Sequence, residues 1–280
     1  MIKIVTDTTC NLPPAWFSRY DITIIPFNIQ FGLESFREGV DISPVEFYNR
    51  IQTEQALPTT SQPAIGDFID TYRQLAADGS EIISIHVTSK LSGAWQAALL
   101  AARQLADQPA IRVVDSSTGS VGLGWLVREA AQLARAGWDA GEIVHRLEGR
   151  RSQINVFIML KDLRYARMSG RVGALRETLA SLLNVKPIIG VQEGALVSLD
   201  RVRGQKKGLV RMLDMVETVV GRQPVHVGLT HALAQAEAEE LLTRVQARLN
   251  CRDTFITDLA LSLAVHFGPG TVGLATYPAE

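Results

Sequence analysis

Three short apolar runs, each closing on a cluster of aspartate, serine or threonine, most constrain what this chain can fold into. Residues 2–6 run into Asp7-Thr8-Thr9, residues 81–87 into Thr88-Ser89-Lys90-Leu91-Ser92-Gly93, and residues 111–114 into Asp115-Ser116-Ser117. Short runs rich in β-branched residues read as buried strands. Helical patterns follow the second and third clusters, at residues 94–106 and 119–136. Strand, polar loop and helix in repeated order predict a parallel sheet, and such sheets bind ligands outside the carboxyl ends of their strands.

Elsewhere in this half, Pro13 and Pro14 suit a helix entry, and two apolar stretches in residues 21–31 break near Pro26. Ser43, Pro44 and Glu46 form a capping-box start to a helix. Residues 58–63 read as a loop, and residues 65–75 as a helix. The second half has another rhythm. Residues 154–160 predict a strand, and residues 163–173 an arginine-rich loop with a short helix. Residues 174–183 predict a further helix. Residues 188–191 and 195–200 predict a hairpin around Glu193-Gly194. Helices over 208–220 and 234–249, strands over 225–230 and 253–257, and a last strand over 271–276 complete an α+β pattern. The boundary is expected near residue 150, dividing an α/β domain, 1–150, from an α+β domain, 151–280.

The chain has 28 basic and 29 acidic residues, a formal net charge of -1, which argues against a general binder of nucleic acid. Cys10 and Cys251 fit no metal-ligand spacing and are expected to be free thiols in a reducing compartment. No leader pattern precedes the first strand, and no stretch reaches the roughly twenty apolar residues of a membrane span. A cytoplasmic protein without integral membrane association is the expectation.

No catalytic or metal motif assembles. Gly-x-Ser-x-Gly, His-Glu-x-x-His, the phosphate loop and a dinucleotide fingerprint after the first strand are all absent from the sequence. Gly119, Gly122 and Gly124 fit close helix packing better than a nucleotide loop. Of the five histidines, His86 and His226 fall in strands, His231 at a strand end and His145 on a charged helix. His266 stands apart, just before the turn Phe267-Gly268-Pro269-Gly270. Arg164, Arg167 and Arg171 have the spacing of one helical face, suited to forked contact with an anion or to a solvated surface. Arg201, Arg203, Lys206 and Lys207 fit a surface or docking patch.

Three loops carry more hydroxyls than structure alone requires: Asp7-Thr8-Thr9, Thr59-Thr60-Ser61-Gln62, and Ser89 with Ser92-Gly93. Each hydroxyl either caps a helix or joins a polar site for a carboxylate or phosphate. Gly93 suits either a turn or close approach by a ligand head group.

At these loops the sequence resembles the DegV family. The matching segments are Ile4-Val5-Thr6-Asp7-Thr8-Thr9, Thr60-Ser61-Gln62-Pro63, Ser89-Lys90-Leu91-Ser92-Gly93, Asp115-Ser116, Leu163-Arg164-Tyr165 with Gly170-Arg171-Val172, Lys186-Pro187-Ile188, and His266-Phe267-Gly268-Pro269-Gly270. The resemblance implies a two-domain fold holding the acyl chain of a long-chain fatty acid in an apolar tunnel between the domains. It assigns the carboxylate to Thr60 or Ser61 and to Ser92, and places Arg171 and His266 near the head group and a partner surface. It further implies a separate ATP-dependent fatty acid kinase subunit that phosphorylates the bound carboxylate. Ser92-Gly93-Ala94-Trp95 departs from the family's usual Ser-Gly-Thr-aromatic by one hydroxyl. The expected protein is a carrier with no cofactor, metal or catalytic residue of its own. The alternatives are an enzyme for a small phosphorylated or carboxylated metabolite, drawing on Asp7, Asp115 and His266, and a lipid-sensing regulatory module.

Overall fold

A computed structural model describes residues 1–53, 57–105, 109–171 and 185–279. The chain divides into a first unit, Met1–Ser152, and a second, Gln153–Glu280.

The first unit is built on a parallel sheet in the order β2-β1-β6-β7: Ile22–Ile25, Ile2–Asp7, Glu81–His86 and Ile111–Asp115. Its register sets Ile4 beside Ile22 and Ile83, so β1 is paired on both sides. That position suits a run apolar on successive residues, since both faces are covered. Helices α3 (Ile65–Ala76) and α4 (Ala94–Gln104) pack there through Phe68, Tyr72, Ala97, Ala98 and Ala101. Alanine is what lets α4 approach closely. Helix α5 (Ser120–Arg135) buries Val121, Leu123, Trp125 and Leu126. A Cβ at Gly124 would stand 2.6 Å from the Asn11 carbonyl, which is the close packing expected for that glycine.

The sequence reading missed a second, antiparallel sheet in this unit, ordered β4-β3-β5: Glu34–Arg37, Asn28–Phe31 and Thr59–Ser61. Residues 58–63 were expected to be a loop; instead Thr59–Ser61 pairs with Asn28–Gln30. Three residues are too few to show a period of two. Helices α1 (Pro14–Tyr20), α2 (Pro44–Thr53) and α6 (Ala140–Arg150) complete the unit. The Glu46 N–H donates to Ser43 Oγ at 3.2 Å, as its capping pattern predicts.

The second unit carries a six-stranded mixed sheet, β10-β9-β8-β13-β11-β12: Ala195–Arg203, Val185–Gln192, Asn155–Met159, Val272–Pro278, Val225–His231 and Cys251–Asp258. Only β11 and β12 run parallel. The β9–β10 hairpin turns at Glu193-Gly194, both at positive φ (48° and 81°), the geometry that matches strand twist in a two-residue turn. Helices α8 (Gln205–Val220) and α9 (Gln235–Arg248) cover the sheet through Leu209, Met212, Leu213, Val216, Leu241 and Val245. Two shorter helices are α7 (Arg164–Ser169), which ends two residues before the candidate Arg171, and α10 (Leu261–Phe267), which carries His266. The helix expected at 174–183 lies outside the described residues. Among the described residues no helix is long and apolar enough to cross a membrane.

Candidate ligand-binding site

The exit of β6 is the best-defined polar feature of the first unit. The Thr88 N–H donates to Thr118 O at 2.8 Å. Thr88 O then accepts from Leu91 N and Ser92 N, at 3.1 and 3.2 Å. The loop therefore enters α4 as a fixed turn. Ser92 Oγ accepts from the Ala94 N–H at 3.2 Å, which satisfies the first amide of the helix from the residue before its N-cap, Gly93. A hydroxyl has two lone pairs and one proton, and this bond leaves the proton to donate. Supporting the helix start and donating to a ligand are thus compatible in one side chain. Ala94, where the family's pattern has threonine, is fully buried.

Gly93 has an ordinary φ of −81°, so what its missing side chain supplies is space. A Cβ there would lie 2.7 Å from Gln62 Nε2. The segment that follows β5 thus lies against the Ser92-Gly93 turn. Sequence reasoning had noted Gln62 without giving it a role, because only folding brings positions 62 and 93 together.

Strand β5 separates its two candidate hydroxyls. Successive strand side chains point to opposite faces, and directly opposed residues share a face. Thr60 stands opposite Ile29, which is fully buried, and Ser61 stands opposite Asn28. Thr60 therefore belongs to the apolar face with Ile29, and Ser61 to the polar face with Thr59, whose hydroxyl bonds Gln30 at 3.1 Å.

Asp7-Thr8-Thr9, the third of the hydroxyl-bearing loops, braces the exits of β1 and β6. Thr8 Oγ1 accepts from Phe27 N at 3.1 Å. Thr9 donates to Asp7 Oδ1 from its amide at 3.0 Å and from its hydroxyl at 2.5 Å. Asp7 Oδ2 faces His86 Nδ1 at 2.9 Å and accepts from Val87 N at 3.1 Å. Asp7 and His86 are both fully buried. Asp115 accepts from Ser117 N at 2.8 Å and from Ser89 N at 3.3 Å, which joins the β7 and β6 exits. Next to the Asp7 brace, Cys10 is inert: burial, and secondarily the Asp7 charge, push its thiol far above the usual range. Cys251 is likewise a free thiol, raised by burial.

In the second unit, Arg171 and His266 come into electrostatic reach of one another. Burial, and next the Arg171 charge, hold the His266 imidazole down at about 4, so it is neutral near pH 7. The turn after His266 explains the placement. A Cβ at Gly268 (φ 79°) would meet the Tyr165 ring at 2.3 Å, and one at Gly270 (φ 82°) the Lys161 side chain at 2.2 Å. The Gly-Pro-Gly turn is thus pressed against Lys161 and α7. Thr271 Oγ1 closes the turn by bonding Gly268 O at 2.8 Å. The expectation of one helical face for Arg164, Arg167 and Arg171 is corrected. Helix α7 ends at Ser169, Gly170 adopts a left-handed cap (φ 71°), and Arg171 lies beyond it. Arg171 is exposed and donates to Ser169 O at 3.1 Å. Arg164 folds back over the Tyr165 ring, 4.9 Å from its centroid.

Comparison with known proteins supplies what geometry alone does not. A family model described as an uncharacterised protein of the DegV family matches residues 1–279. A DegV domain-containing protein of Halalkalibacterium halodurans is 33% identical, covering 99% of this chain and 98% of that protein. Among solved structures, a DegV family protein from Thermus thermophilus, described by its fatty acid binding, is 29% identical with a TM-score of 0.93 over 99% of both chains. DegV from Bacillus subtilis, a fatty acid binding protein, is 26% identical with a TM-score of 0.90 over 99% of both chains.

Proposed function

The chain belongs to the DegV family, and on that premise we propose that it is a non-catalytic carrier that binds a long-chain fatty acid and presents the carboxylate to a separate ATP-dependent fatty acid kinase subunit. The observation that carries this reading is its likeness, over 99% of the chain, to the fatty-acid-binding proteins of T. thermophilus and B. subtilis. The physics agrees. Burying an acyl chain stabilises the complex by about 0.8 kcal/mol per methylene, and the carboxylate must keep hydrogen-bond donors once desolvated.

In this proposal Ser92 and Thr60 donate to the carboxylate, and Gly93 leaves room beside Gln62 for the head group. Thr60 is preferred over Ser61 because its strand face is the apolar one, where an acyl chain is compatible. His266 belongs with the lipid-binding residues, as a neutral imidazole able to donate or accept one hydrogen bond. Arg171 meets the developing acyl phosphate or an acidic group of the kinase subunit, for which a guanidinium is well suited. The reading as a metabolite enzyme is weakened because one of its expected acid–base groups, Asp7, is fully buried and saturated with donors.

Presentation is tested with lipid-loaded protein, a fatty acid kinase subunit and ATP, measuring acyl-phosphate formation beside palmitate affinity. Arg171→Ala is expected to reduce turnover at least about tenfold with near-normal affinity. Normal turnover contradicts the assignment, and a proportional loss of both moves Arg171 among the lipid-holding groups.

A further inference from the structure

A buried polar chain crosses the core of the first unit and ends at Asp7. Tyr72 O–H donates to Ser84 Oγ at 2.7 Å, Ser84 Oγ lies 2.7 Å from His86 Nε2, and His86 Nδ1 lies 2.9 Å from Asp7 Oδ2. All four residues are fully buried. This order of residue types is that of a hydrolase triad, but no member of the series reaches solvent.

Its polarity is fixed by its ends. Asp7 faces Thr9 N, Thr9 Oγ1, Val87 N and His86 Nδ1, the surroundings of a carboxylate that only accepts. His86 Nδ1 must then carry the proton and Nε2 must accept from the Ser84 hydroxyl. Ser84 can do so because its own oxygen is engaged by Tyr72. Each donor in the series then has one acceptor. A buried carboxylate is tolerated only when so satisfied.

We infer that Asp7 and His86 are positioning residues for the fatty-acid head group, acting through the backbone of the loop that carries Ser92. One Asp7 oxygen holds the β1 exit through Thr9, and the other holds the β6 exit through Val87 N. Thr88, the next residue, supplies the carbonyl that receives the Leu91 and Ser92 amides. The Asp7 carboxylate therefore sets where the Ser92 turn begins, and His86 sets the orientation of that carboxylate. This inference rests on the assignment of Ser92 to the head group.

Two His86 variants separate positioning from simple core packing. Asparagine places its amide nitrogen near the Nδ1 position and keeps a donor for Asp7. Glutamine reaches the Nε2 position, keeps Ser84 company and leaves Asp7 one donor short. Both variants lower the melting temperature, as any change in a packed core does. Titration of the folded proteins with palmitate is expected to show His86→Gln weakened about tenfold or more and His86→Asn within about threefold of the unchanged protein. Amide hydrogen exchange of the ligand-free proteins is expected to quicken over residues 88–93 in His86→Gln relative to the rest of the unit. Asp7→Asn is the second variant, since its amide must turn a donor toward either Thr9 N or Val87 N; it is expected to lose affinity as His86→Gln does. Unchanged affinity in a folded His86→Gln or Asp7→Asn protein, or equal losses in both His86 variants, overturns the inference. If the unchanged protein does not bind palmitate, the fatty-acid reading itself fails, and the exchange pattern alone then decides whether His86 positions the loop.

Discussion

The Ser92 hydroxyl already accepts from the Ala94 N–H and still has a proton to give. Ser92→Ala should therefore do two separable things. Losing the bond to the Ala94 N–H should cost about 0.5–1.5 kcal/mol of stability. Losing a hydrogen bond to a charged carboxylate should weaken palmitate affinity by about 1.5–3 kcal/mol. Calorimetric titration and thermal melting read the two apart, and unchanged affinity in the folded variant removes Ser92 from the site. The β5 pair gives a sharper residue-level test. Thr60→Val should weaken palmitate binding while Ser61→Ala leaves it nearly unchanged, because the two side chains lie on opposite strand faces. Equal effects in the titration would contradict that division.

At the scale of elements, the packing of α10 and its Gly-Pro-Gly turn gives a pH dependence with a definite sign. His266 is held at about 4 in the folded protein, below the ordinary imidazole value of 6.5. The unfolded chain thus binds the proton first as pH falls. The His266 contribution to stability is intact above about 6.5 and is lost progressively down to about 4. Urea unfolding across that range should show a shallower decline for His266→Gln than for the unchanged protein; parallel curves would refute it. The same elements show what the sequence made legible. Runs ending in polar clusters mark β1 and β6, which are paired on both sides and buried along most of their length, whereas β7, a half-buried edge strand, is marked mainly by the polar cluster that follows it. Glu193-Gly194 marks the hairpin because few residue pairs tolerate two positive φ values. Strands β4 and β5, four and three residues long, are too brief to carry a period. The fault in the arginine face came from Gly170, which ends α7 one residue before Arg171. Of the site, the Ser92 turn was legible from composition. The Gln62–Gly93 approach and the Asp7–His86 contact were not, because their partners lie far apart in sequence and only sheet register brings them together.

At the scale of the whole molecule, each unit has its own core and its own polar residues, Ser92 with the β5 segment in the first and Arg171 with His266 in the second. The proposed ligand must satisfy both halves of its chemistry. Buried methylenes supply most of the binding free energy and the carboxylate supplies orientation, so competition across chain lengths should favour long acids strongly over short ones. Equal displacement by acetate and palmitate would show that no acyl chain is buried. The central claim is that the chain carries a long-chain fatty acid, and the bound ligand itself tests this most directly. Mass spectrometry of an organic extract from gently purified protein should find a long-chain fatty acid at close to one per chain. A polar phosphorylated or carboxylated metabolite at that stoichiometry, with no fatty acid, would contradict it.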